Sequence, residues 1–209
     1  MDIPEILSIN SEEVIANLYQ ESIDAYIFLK DQFEVTKDIR ENYFFHFVYR
    51  SFYRLDNAGL SNNMKVEYFN LMQELRNNTP FDFSVVCDRL YKIPNLKGQN
   101  SLQFSFATKM ANMINETCPI YDSEVASMFG FRAPYNYKTY DQRLKEYTLF
   151  YNDMAKQYID ISQNDLLLSV FENMNSKLNN IESLSAIKKL DFLMWSAGKL
   201  KNKQLLKVA

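Results

Sequence analysis

Chain breakers are scarce here: four glycines and five prolines stand among 209 residues. So few turn formers in so long a chain exclude many short strands joined by tight turns, and leave long helices. His46 is the only histidine. That excludes a His-rich metal site and any Ser-His-Asp triad that does not use it. Set in Phe44-Phe45-His46-Phe47, it reads as a core or boundary residue. Two cysteines, Cys87 and Cys118, do not make a disulfide framework and read as reduced, buried thiols. No apolar run approaches the roughly 18–20 residues of a membrane span. The opening Met1-Asp2-Ile3-Pro4-Glu5 lacks the basic-then-apolar order of a signal peptide. These absences predict a cytoplasmic protein with no membrane partner and no metal or other cofactor. A net charge of −3 gives no global attraction to nucleic acid, so such a role needs a local basic patch.

What is present points to an all-α fold. Hydrophobic residues make up 47% of the chain, enough for a sizeable core. The expectation is a single-domain multi-helix bundle over residues 1–209, with a basic C-terminal tail from about 199. Ser11 followed by Glu12 and Glu13 predicts an amphipathic helix to about Phe33. A second runs from about Thr36 to Leu55, and Ser61 starts a third that ends near Arg76. Thr79-Pro80-Phe81-Asp82 reads as a cap, a first-turn proline and an early acid, opening a helix to Ile93. Ser101 caps the next, to about Glu116. Asp122 caps a short one that closes at Gly130. Thr139–Ile159, Asn164–Leu178 and Ser183–Ala197 complete the set, with Gly198 as the last stop.

Two segments carry local basic character. The helix holding Arg40, Tyr43, Phe44, Phe45, Arg50 and Arg54 has rings that can stack on bases beside arginines that can meet phosphates, or is a central helix whose arginines snorkel outward. Toward the C-terminus Lys188, Lys189, Lys199, Lys201, Lys203 and Lys207 face only Asp191 in charge. They read as a solvated tail that offsets a helix dipole, or as a phosphate-binding patch.

The informative element is 101–115. At about 100° per residue, Leu102, Phe106, Met110 and Met113 share one helical face. Lys109 falls inside that apolar stripe and is the only ionisable side chain between Lys97 and Glu116. A lysine so placed pairs with an acid, snorkels to solvent, or loses its proton. The neutral amine is a nucleophile of the kind that forms Schiff bases. After the turn Cys118-Pro119-Ile120-Tyr121, Asp122 opens the next helix and is the candidate partner acid, or a plain N-cap. The expectation is that the charged groups of Lys109 and Asp122 meet in a pocket bordered by Phe106 or Tyr121.

Thr108-Lys109-Met110-Ala111-Asn112, followed by Pro119-Ile120-Tyr121-Asp122 and Val125, resembles the core of helix-hairpin-helix DNA glycosylases of the 8-oxoguanine type. That family carries Gly-Thr-Lys-Val-Ala-Asp and then Pro-Val-Asp opening the next helix. The resemblance implies a glycosylase-like helical core and DNA as a partner. It implies Lys109 as the nucleophile on the sugar C1′ and Asp122 as the catalytic acid that stabilises developing positive charge. Phe106, Tyr121, Arg132, Lys199, Lys201 and Lys203 are then the candidate substrate or DNA contacts. Small bacterial proteins of similar core also end in a helix like Leu190-Asp191-Phe192-Leu193-Met194-Trp195. The chain departs from the family where a Pro-Gly-x-Gly turn grips a DNA phosphate, having Phe104, Ser105, Phe106 and Ala107 instead. Asp122 lies thirteen positions after Lys109, a shorter spacing than in well-known members. A different class stays open beside this one. It is a non-catalytic helical protein that binds a protein partner, of a bacterial stress or phage-defence type, with Lys109 and Asp122 as a structural ion pair.

Overall fold

The computed structural model describes residues 2–78 and 80–207. Among them the chain is all helical, with eleven α-helices, three short 3-10 helices and no strand. The helices form two compact units, one of residues 24–115 and one of the flanking segments 2–23 and 116–207.

The terminal unit begins with α1 (Ile3–Ile9), opened by Pro4, and α2 (Ser11–Ala16). Between them the buried Asn10 donates to the Ile6 carbonyl at 2.9 Å and exchanges two hydrogen bonds with the Lys207 backbone. The single helix expected from Ser11 to Phe33 is two helices, because the chain leaves helical geometry after Asn17. The Asn17 amide reaches the Ser196 hydroxyl (3.0 Å), and Leu18 is buried. The tertiary contact outweighs the local pattern. After the first turn of α3 (Gln20–Val35), the unit resumes with α8 (Ser123–Met128) and α9 (Tyr140–Gln163). Thr139 and Gln142 close a capping box at the start of α9. Then follow α10 (Leu168–Lys177) and α11 (Ala186–Asn202), capped by Ser185. Gly198 does not end α11, contrary to expectation. A Cβ there would strike the backbone of Glu124, so the glycine exists to let α8 lie directly on α11.

The central unit holds the rest of α3, then a 3-10 turn (Ile39–Glu41) and α4 (Tyr43–Phe52). The expected 36–55 helix is interrupted because Asp38 and Asn42 bond backbone amides of their own neighbourhood, the amides of Arg40 and Phe45. Arg76 ends α3 by donating to the carbonyls of Phe33, Thr36 and Glu34. Next come α5 (Asn62–Glu74), capped by Ser61 as expected, and α6 (Phe83–Tyr91). The cap of α6 is Asp82, and Thr79 lies outside the described residues. Last is α7 (Phe104–Ile114). Ser101 does not cap it, because its hydroxyl accepts the Gln103 side chain at 2.7 Å, so the helix starts after Gln103. Leu102 therefore precedes the helix.

Candidate functional site

Helix α7 is buried nearly all round, as its composition predicts: Phe104, Phe106, Ala107, Thr108, Met110, Ala111, Asn112 and Met113 are all inside. Two tyrosines pin its first turn. Tyr68 donates its hydroxyl to the Phe106 carbonyl at 2.8 Å and meets the Tyr49 hydroxyl, also at 2.8 Å. Burial pushes both phenols well above their ordinary value, so they stay neutral donors. Lys30 donates to the Met113 carbonyl (3.2 Å), placing a cation at the negative end of the helix. On this fixed helix Lys109 is half-buried. Its ammonium donates to the Ser105 hydroxyl one turn earlier (3.0 Å) and lies 4.7 Å from the centre of the Phe106 ring. A lysine inside an apolar stripe thus folds back along its own helix onto a hydroxyl and an aromatic face.

Asp122 belongs to the terminal unit and is the N-cap of α8, its carboxylate accepting the Val125 amide at 2.9 Å. The turn before it is held from α11. The Asp191 carboxylate accepts the Ile120 amide at 3.1 Å and stands 3.5 Å from the Lys188 ammonium. Burial raises the Asp191 carboxyl to about 6, against the pull of Lys188 and of the Ile120 amide. The buried Tyr158 phenol beside it is pushed well up, first by burial and then by that carboxylate. Further along, α11 holds the other end of α8. Lys201 donates to the Ser127 carbonyl (2.5 Å) and Asn202 to the Glu124 carboxylate (2.6 Å).

The remaining candidates separate by burial. Phe106 and Tyr121 are both buried. The Phe106 ring underlies the Lys109 amine, and Tyr121 packs among Phe131, Tyr147 and Phe150. Arg132 is exposed in the loop between α8 and α9. Beside it two exposed rings, Tyr135 and Tyr137, stack in parallel at 5.4 Å. Sequence reasoning passed over this pair, although Arg132, Tyr135, Tyr137 and Lys138 show the aromatic-basic interleaving of a stacking loop. The C-terminal lysines are dispersed. Lys188 and Lys189 are buried, Lys199 covers the Trp195 ring at 4.1 Å, Lys207 pairs with Glu13, and Lys203 is exposed. The last turn of α11 runs through Lys199 and Lys201 to Asn202, so the tail past 199 opens as ordered helix. An open pocket of about 430 Å³ lies at the C-terminal end of α8, lined by Ile3, Met128, Phe129, Gly130, Gln157 and Lys201.

His46 is half-buried, stacked on Phe69 at 3.8 Å, with its Nε2 at 2.8 Å from the Ile39 carbonyl. Burial holds it below its ordinary value, which fits a boundary residue. Burial raises both thiols, Cys87 to about 12, and neither is in a disulfide. No group of three or more metal-ligating side chains occurs among the described residues, and no helix among them is long and apolar enough to cross a membrane. The chain matches no protein-family model, and no curated protein or solved structure is significantly similar to it.

Proposed function

We propose that the chain is a base-excision protein with a DNA-glycosylase-like core, Lys109 acting as its nucleophile and Asp122 as the assisting acid. The observation that carries the reading is the setting of Lys109. The sole ionisable group of a buried helix, it rests on Ser105 and Phe106, which aim it and shield it from water on one side. Its neutral amine attacks the sugar C1′. A C–N bond forms as the glycosidic bond breaks; the departing base keeps the electron pair and takes up one proton of the attacking amine, and the ring oxygen takes the other when the sugar opens. Opening of the sugar ring then leaves an imine on Lys109. The Asp122 carboxylate, fixed at an N-cap, stabilises the positive charge that develops on the sugar. Arg132 with the stacked Tyr135 and Tyr137 suits a phosphate beside unpaired bases. Positions 104–107 form the first turn of α7 and not a glycine hairpin, so the grip on DNA is weak.

Borohydride reduces such an imine to a stable adduct. At low salt, the protein mixed with abasic or 8-oxoguanine DNA and borohydride is expected to give a cross-linked species. Lys109→Gln should abolish it, and Asp122→Asn should slow turnover more than binding. Absence of any adduct from folded protein across a panel of damaged and abasic DNA overturns the proposal. A second reading, a non-catalytic partner-binding protein, is favoured by the aromatic side chains that α4 leaves in solvent.

A further inference from the structure

Helix α4 buries Phe45 and Tyr49 on one side and turns Tyr43, Phe44 and Phe47 outward, 78%, 62% and 61% exposed. Three exposed rings within five residues are unusual on a surface that meets only water. Two of them are held in place: Phe44 meets Phe28 of α3 edge-on at 5.3 Å, and Tyr43 meets His46 at 6.0 Å. Rings held in this way lose little freedom when covered.

The charges around them are mixed. Arg40 is bound to Asp38, and Arg50 and Lys65 both reach Asp56. Two exposed charges flank the rings, Glu41 just before α4 and Arg54 just after it. Lys37 lies a further four residues out. Arg54 also adopts a left-handed backbone (φ 58°), a conformation that glycine or asparagine holds with less strain. The pair of charges nearest the rings, Glu41 and Arg54, is of opposite sign. It is self-complementary when the helix meets an antiparallel copy of itself. The midpoint between Glu41 and Arg54 falls between Phe47 and Val48, so a two-fold axis there brings Glu41 of each copy to Arg54 of the other and closes the rings between them.

We infer that α4 is the interface of a homodimer, formed by antiparallel packing of Tyr43, Phe44 and Phe47 with two Glu41–Arg54 pairs at its ends. This assignment is independent of the chemistry at Lys109. A patch of one helix makes a small interface, so association is weak.

Sedimentation equilibrium on the full chain from about 1 to about 500 µM brackets such an affinity, and a monomer–dimer equilibrium is expected. Phe47→Ser and Phe44→Ser, both surface changes that keep the helical spectrum, should leave a monomer. Glu41→Arg and Arg54→Glu should each weaken the dimer about tenfold, since each breaks two symmetric pairs. The double swap should recover most of the loss. A wild type that stays monomeric throughout, a dimer that survives Phe47→Ser, or a double swap no better than the single variants overturns the proposal. Binding of oligo(dT) by a monomeric wild type, lost in Phe47→Ser, would assign the face to single-stranded nucleic acid instead.

Discussion

Asp191 and Lys188 lie one helical turn apart on α11, 5% and 3% exposed. Lys188 also lies 5.2 Å from the centre of the Phe192 ring. In the unfolded chain the Asp191 carboxyl releases its proton near 3.8, and in the fold near 6. Between those values the native state holds the extra proton, so this group's contribution is fully present below the lower value and is lost as pH rises through the upper one. The whole shift corresponds to about 3 kcal/mol. Asp191→Asn keeps an acceptor for the Ile120 amide and cannot ionise. In urea unfolding it is expected to match the wild type near pH 4 and to gain on it by up to about 3 kcal/mol near pH 7. A difference that does not change with pH would show that Asp191 stays ionised throughout. Nothing in its sequence position marked Asp191 for this role. Along the sequence Asp191 is the lone acid among C-terminal lysines, and only the fold places it under the turn that carries Asp122.

At the scale of the element, several caps were legible and breaks were not. Ser61, Asp122 and Thr139 start helices where their side chains imply, because a cap is a bond within one turn of chain. The break after Asn17 depends on Ser196, distant in sequence, and no local pattern announces it. Gly198 is the sharpest case. Its lack of a side chain reads as a stop, yet it serves the close approach of α8 to α11. Gly198→Ala is expected to cost about 3 kcal/mol in thermal unfolding, since a backbone and not a flexible side chain must move. Gly130→Ala has open space and only a left-handed backbone (φ 67°) to oppose it, and should cost about 1 kcal/mol. Equal costs would mean that α8 yields without penalty.

At the scale of the molecule, the helices gather into two compact units. The central one has a core of its own, with Tyr26, Phe45, Tyr49, Tyr68 and Phe104 fully buried or nearly so. A fragment of residues 20–115, which starts where α3 starts, is expected to keep a helical spectrum and melt in one cooperative transition. A featureless melt would show that this unit does not stand by itself. The helical class was determined by the sequence alone, because scarce breakers and repeated caps act locally and add along the chain. The burial of α7 and the placing of Lys109 in its apolar stripe were legible for the same reason, since periodicity sorts faces before any partner is known. Tertiary structure decided which polar groups were enclosed. It sent Lys188 and Asp191 inside, left Tyr43, Phe44 and Phe47 outside, and folded the Lys109 ammonium onto Ser105. Burial of a particular side chain depends on what packs against it from distant segments, and the spacing of residues along one helix carries no record of that.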